Sequence, residues 1–282
     1  MFERVAVVGV GLIGGSFALA CREAVGCQLF GVDKDPNAVQ KAKELGILHE
    51  GSTQVEDLKG FNPQLVVLAT PVGSFTSLAR RLRETLSPEC VVSDVGSVKG
   101  RLVYELEEIL GGRYVGGHPI AGTEKAGVQH AERGLFSGRR FILTPTQRTD
   151  PRAKTEVKEL WQSMGALVEE MDPELHDFIF GAVSHMPHAV AFALVRAIEY
   201  LSNSLDLFKY PGGGFKDFTR IAGSDPVMWR DIFLHNSEQV LKSLQVFEGA
   251  LRELQGLIER GEKEALTQYL GLASARRRSL SE

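Results

Sequence analysis

Few residues in this chain can manage a proton near neutral pH, and one of them has unusual surroundings. His118 sits in GGHPIAGTEKAG (116–127), behind two glycines and ahead of a proline, with Glu124 close by. No other His or Cys lies within ten residues, so a local metal cluster is not the reading. Flanking glycines instead suit a place where backbone and ligand approach closely. A neutral imidazole there can accept a hydrogen bond from a hydroxyl whose carbon gives up a hydride. Ser97, in DVGSVKG (94–100), is the candidate to share or orient that bond. The competing reading of His118 is a loop histidine satisfied locally.

Further candidates lie later in the chain. His185 and His188 frame HMPH ahead of an apolar helix, and their spacing suits either a substrate-facing pair or a structural role. No third and fourth ligand is legible beside them, so no metal is expected. Arg220 follows a GGG loop and precedes the cap-like SDP; its planar guanidinium suits a carboxylate, or it is a surface arginine. Glu124 could orient His118 or meet polar substrate groups, or serve as a helix-start carboxylate.

The phosphate-binding signal is fuller. GVGLIGGS (9–16) follows the β-branched run RVAVVG and opens a helix, so Gly9, Gly11 and Gly14 form GxGxxG. The first glycine permits a tight turn, the second lets a pyrophosphate approach, and the third allows strand and helix to pack closely. Leu12 and Ile13 then begin a helix whose free N–H groups and positive dipole end face the phosphates. Asp33 closes the second strand, twenty-two residues after Gly11. A carboxylate there accepts hydrogen bonds from the ribose 2′-hydroxyl and repels a 2′-phosphate, which predicts NAD rather than NADP. Asp33 as a plain turn residue is the alternative. Thr70 and Pro71, in TPVGS (70–74), stand at another strand end and are assigned to the same cofactor.

These residues need a scaffold. Strand-like runs at 4–9, 28–33, 64–70, 90–96, 113–117, 139–146 and 166–171 alternate with helical patterns, predicting a parallel sheet covered on both faces. After Met171 only helical patterns follow, with Pro187 marking a kink. Two domains are therefore expected: residues 1–171, an α/β Rossmann-type dinucleotide-binding domain, and residues 172–282, all helical. In the last part Val240, Leu244, Phe247, Leu251, Leu254 and Ile258 recur every three or four residues, a seam for packing against other helices.

The 282 residues are 43% hydrophobic and 24% charged, with net charge −4, which gives no sign of a nucleic-acid or anionic-membrane partner. Val5–Cys21 is uncharged, yet four glycines interrupt it and no cleavage-like site follows, so no targeting segment is read. No other stretch is read as long and apolar enough to cross a bilayer. Three cysteines without a CxxC pair fit a reducing, cytoplasmic setting.

Taken together, GVGLIGGSFA, the Asp33 strand end, DVGSVKG, HPIAGTEKAG, SHMPHAVAFAL and GGGFKDFTRIAGSDPVMWRDI resemble the prephenate/arogenate dehydrogenase family of tyrosine biosynthesis. The resemblance runs from about residue 4 to the last helix. It implies NAD(P)-dependent oxidative decarboxylation of prephenate to 4-hydroxyphenylpyruvate, or of arogenate to tyrosine. Hydride leaves ring C4, CO2 leaves C1, and the ring becomes aromatic. Carried over by motif, His118 accepts the C4 hydroxyl's hydrogen bond with help from Ser97. His188 and Arg220 bind the substrate's carboxylates or side chain, with Glu124 and His185 as second candidates. Trp229 is expected to reach the site from a partner subunit, because the family's helical domain forms a homodimer. Neither a preceding chorismate mutase module nor a following ACT domain is expected. A β-hydroxyacid-type dehydrogenase would carry a lysine base in the helical part, and an NAD-sensing protein would have no use for His118 beside Ser97.

Overall fold

The computed structural model describes residues 2–122, 125–202 and 205–280. Its first strand, β1 (Arg4–Val8), is buried along its length and enters the glycine turn, from which α1 (Leu12–Val25) departs. β2 (Gln28–Val32), α2 (Pro36–Glu44), a short β3 (Glu50–Ser52) and one turn of helix, α3 (Leu58–Phe61), follow. β4 (Leu65–Leu68), α4 (Phe75–Thr85), β5 (Val91–Asp94), α5 (Gly100–Leu110) and β6 (Tyr114–Val115) complete a six-stranded sheet. Every pairing in it is parallel and the order is β3-β2-β1-β4-β5-β6. That order places a topological switch between β1 and β4, where ligands bind in open α/β sheets.

The run RYVGGHP does not stay in this sheet. The chain leaves β6 at Val115, and β7 (Gly117–Pro119) pairs antiparallel with β8 (Arg140–Leu143), which pairs parallel with β9 (Leu167–Glu170). A single parallel sheet was the expectation; two sheets are found. The physical reason is visible at Gly117, where a Cβ would meet the Phe141 ring, so only a glycine lets the chain cross so closely. Consequently His118 lies within a strand, opposite Ile142, and not in a loop after one.

One apolar cluster fills one side of the main sheet, with Phe17 of α1 against Trp161 of α6 (Pro151–Ser163) and Phe141 stacked on Trp161 at 3.7 Å. The other side holds Phe75, Leu82, Leu102 and Leu106, joined by Trp229 and Ile232 of α10 (Pro226–His235). No described strand follows β9. α7 (Pro173–Phe180) is capped by Asp172, whose carboxylate accepts from the Glu174 and Leu175 amides. A π-helical turn at Gly181–His185 leads into α8 (Met186–Leu201), and the three form a continuous run of 29 residues. Contrary to expectation, this run is long and apolar enough, by length and composition alone, to cross a bilayer. Pro187 does not end it: helical backbone continues through the proline, which directly follows the π turn.

α9 (Gly213–Thr219) precedes α10 in the compact unit Met1–Ser237. The second unit, Glu238–Glu282, holds most of α11 (Ser237–Arg260) and α12 (Lys263–Arg278), tied by Tyr269 Oη donating to the Ala250 carbonyl at 3.0 Å. Of the predicted seam, Val240 is buried, Leu244, Phe247 and Leu254 are half-buried, and Leu251 and Ile258 are exposed.

Candidate active site

The site is built around a charge taken out of water. Asp94 ends β5 with its side chain fully buried, and Lys99, equally buried, sets its ammonium against Oδ1. Such burial is tolerable only when every lone pair is answered. The Gly96 amide donates to Oδ1 at 2.7 Å, Tyr114 Oη to Oδ2 at 2.7 Å, and the Gly117 amide to Oδ2 at 3.3 Å. Burial, reinforced by Asp94, pushes the Tyr114 phenol well above its ordinary pKa, so it stays a donor. One carboxylate thus fixes both the loop carrying Ser97 and the first residue of the strand carrying His118.

Ser97 and His118 line one cavity of about 780 Å3, together with Ser184, His188, Arg220 and Trp229. His118 is 9% exposed, and its Nδ1 lies 2.8 Å from His176 Nε2. His176 Nδ1 in turn lies 2.8 Å from Asp177 Oδ1, which also accepts from the Lys99 amide at 2.8 Å. The Phe180 ring meets His118 edge-on at 5.0 Å. Burial, followed by the positive fields of its neighbours, holds the His118 imidazole well below its ordinary pKa. The ring is therefore neutral near pH 7, as a hydrogen-bond acceptor must be.

His188 donates from Nδ1 to the Ser184 carbonyl at 2.8 Å and stacks on Trp229 at 3.6 Å. Burial lowers its pKa, opposed by the Ser184 carbonyl and aided by Arg220. His185 does not line the cavity. Whereas His188 in α8 lines the cavity, His185 closes the π-helical turn and points inward. It is fully buried, and the Asn236 amide donates to its Nδ1 at 3.0 Å. Burial brings its pKa down to about 4. Trp229, expected to reach the site of a partner subunit, lines the cavity of its own chain here. Asp225 caps α10 through the Val227 and Met228 amides, and the helix so started lays Trp229 on His188. Arg220 stands on the cavity lining at the end of α9. Glu124 lies outside the described residues.

At the switch point the glycine turn has the geometry a dinucleotide needs. Gly9 has φ +103°, and a Cβ there would enter the Ala69–Thr70 backbone; a Cβ on Gly14 would strike the Gly9 carbonyl. A Cβ on Gly11 meets nothing within 4 Å, so protein packing does not demand that glycine, whereas a pyrophosphate pressed on the backbone would. No side chain caps α1, which leaves the amides of its first turn, at Leu12 and Ile13, for an anion. Asp33 is held at the β2 end by the Val10 amide (2.7 Å) and the Asp35 amide (3.0 Å), and each oxygen keeps a lone pair for a ribose hydroxyl. Thr70 Oγ1 bonds Ser74 Oγ at 2.7 Å, with exposed Pro71 between them. These residues fit NAD.

Residues 17–170 match the family model described as prephenate dehydrogenase, nucleotide-binding domain, and residues 172–272 match prephenate dehydrogenase, dimerization domain. The chain belongs to the prephenate dehydrogenase family. It is 36% identical to prephenate dehydrogenase of Bacillus subtilis over 97% of this chain and 75% of that one. Among solved structures it resembles Aquifex aeolicus prephenate dehydrogenase in complex with hydroxyphenyl propionate and NAD+, at 50% identity and TM-score 0.96, covering 100% and 99% of the two chains. It also resembles Synechocystis arogenate dehydrogenase, at 30% identity and TM-score 0.80, covering 97% and 98%.

Several residues of this arrangement escaped the sequence reading. Asp94 and Lys99 stood inside DVGSVKG, where a lysine between two glycine-bearing turns after an apolar strand was the available signal. His176 and Phe180 share an i, i+4 face of α7, which pairs them beside His118. Ser184 left no signal, because its place depends on the π turn. Removing one partner of a buried ion pair typically costs about 3–5 kcal/mol. Lys99→Met is therefore expected to lower stability by about that much in urea unfolding, far more than Lys242→Met on exposed α11.

Proposed function

We propose that this chain catalyses the NAD+-dependent oxidative decarboxylation of prephenate to 4-hydroxyphenylpyruvate. The observation that carries the reading is a buried neutral imidazole, His118, lining one cavity with His188 and the cationic Arg220. When bound, NAD+ supplies the hydride acceptor. The chain's own groups then position the ring and manage its hydroxyl. His118 accepts a hydrogen bond from the C4 hydroxyl as hydride departs, and Ser97 orients that contact. Arg220 holds carboxylate oxygens at the other end, His188 lines that end with its ring fixed by Trp229 and its Nε2 left to accept from a substrate donor, and CO2 leaves C1 as the ring becomes aromatic. Arogenate carries an ammonium group on its side chain. The Arg220 cation at that end disfavours it, so prephenate is the preferred substrate. NADH formation with each substrate tests this: prephenate should show the higher kcat/KM, and a clear preference for arogenate would overturn the choice.

Cofactor selection rests on Asp33. NAD+ should serve much better than NADP+, and Asp33→Ser should narrow the gap; steady-state rates with both cofactors check it. A preference of the unmutated chain for NADP+ would contradict the role. Three free cysteines suit a cytoplasmic enzyme, which cell fractionation would check.

The active form is a homodimer. Phe178, Val183, Tyr200 and Leu201 stand 58–68% exposed on the α7–α8 run, large apolar side chains that a second subunit would cover. Sedimentation should give about twice 30.9 kDa, and a fully active monomer would refute it.

Replacing His118 by Ala should lower kcat by about 10²–10⁴-fold, the usual share of a general acid–base group, and leave NAD+ binding intact. Arg220→Ala should instead raise KM far more than it lowers kcat, because a carboxylate clamp acts in ground and transition states alike. Steady-state kinetics distinguish the two, and near-normal kcat in His118→Ala would make the histidine structural.

A further inference from the structure

Two groups behind His118 have no part in binding substrate or cofactor. His176 is fully buried and Asp177 is 5% exposed, yet both are polar and they join in one line with His118. Each link is 2.8 Å long. A hydrophobic interior holds such a chain only if every member is answered, and a chain of rings also has a direction.

That direction follows from what each atom can do. An ionised carboxylate only accepts, so the proton between His176 and Asp177 sits on His176 Nδ1. His176 is neutral, because burial, with Lys99 nearby, brings its pKa down to about 2. Its Nε2 is therefore a lone pair, and this lone pair faces His118 Nδ1. His118 must then carry its proton on Nδ1, which leaves Nε2 as the lone pair.

Building on the functional reading above, we propose that His176 and Asp177 are positioning residues that lock His118 in its Nδ1–H tautomer, so that Nε2 remains the acceptor for the substrate hydroxyl. Asp177 is itself locked. The Lys99 amide binds its Oδ1, the Asn236 side chain donates to its main-chain carbonyl at 2.9 Å, and a Cβ on Gly100 would press on its carboxylate. The Asp94–Lys99 pair that seats Ser97 therefore also seats the far end of this chain.

The lock has a pH limit. The charged or titratable groups facing Asp177 are Lys99 from the turn before α5, His176 on its own helix and His185 from the π turn; His118 adds to those around His176. Burial raises the Asp177 carboxyl to about 6, against the opposing Lys99 bond. Above that pH it only accepts. As pH falls through about 6 it gains an O–H that can donate to His176 Nδ1. The line of bonds can then reverse: His176 donates from Nε2 to His118 Nδ1, and His118 Nε2 becomes N–H and cannot accept. Activity should fall on this acidic limb although His118 itself does not titrate there.

Long-range 15N–1H spectra of the histidine-labelled full chain, paired with the pH profile of kcat, test the lock. At pH 7.5 His118 should show a protonated Nδ1 and a bare Nε2. His176→Leu should lose that bias and about 10²-fold or more in kcat with KM little changed. His176→Gln, which restores an acceptor opposite His118 Nδ1, should recover kcat to within about tenfold of wild type, the worth of one neutral hydrogen bond. Asp177→Asn keeps an accepting oxygen but cannot gain a proton, so its acidic limb should move at least one pH unit lower or vanish. A protonated Nε2 on wild-type His118 at pH 7.5 would overturn the proposal even if every variant misfolded. So would a folded His176→Leu protein with wild-type kcat, or an unmoved limb in Asp177→Asn. The tautomer spectra need no substrate. Failure to turn over prephenate or arogenate would therefore defeat the functional reading and leave the lock to be judged on the spectra.

Discussion

The buried Asp94 carboxylate and its Lys99 partner are the constraint on which the rest of the site depends. Taking two charges out of water costs several kcal/mol per ion, so the pair persists only with full coordination. That coordination organises the active site. Through Gly96 it shapes the loop bearing Ser97, and through Gly117 it draws the start of β7 to the end of β5. The Lys99 main chain, on the same turn, holds the carboxylate of Asp177. The Ser97 loop and the start of β7 are thereby registered against one buried charge, and the turn that carries Lys99 adds α7, a less compliant anchor than apolar packing alone.

Around this anchor the environment, more than the residue types, sets the chemistry. His118, His176, His185 and His188 are alike in sequence but not in surroundings. His118 keeps a face on the cavity and is neutral because burial disfavours its charge. His185 loses all contact with the cavity and serves Asn236 instead. His188 is only half-buried and is oriented by a backbone carbonyl and the Trp229 face. The same imidazole thus ends up lining a cavity beside a second ring, buried against an amide, or stacked on an indole according to which neighbours reach it.

How much of this the sequence reveals depends on whether a feature is local. The glycine turn is legible because Gly9, Gly11 and Gly14 act within one strand–turn–helix unit, as does Asp33 at the next strand end. His118 and Ser97 are legible as candidates because glycine-rich turns mark close approach. The split of RYVGGHP between two sheets is not, since it follows from Phe141, more than twenty residues on, occupying the space beside Gly117. The inward turn of His185 depends on a π-helical turn that no residue type announces. Pro187, read as a break or kink, does not end the helical run, and the π turn stands just ahead of it. The His118–His176–Asp177 line is tertiary throughout, joining a strand of the small sheet to a helix nearly sixty residues later.

Catalysis as proposed turns on a neutral His118 Nε2 that receives the substrate's ring hydroxyl. The most direct measurement is a structure of the chain with NAD+ and 4-hydroxyphenylpyruvate. The phenol oxygen should lie at about 2.6–3.2 Å from His118 Nε2, with the carboxylate at Arg220. A phenol oxygen beyond about 4 Å from His118 and turned toward Arg220 would contradict it.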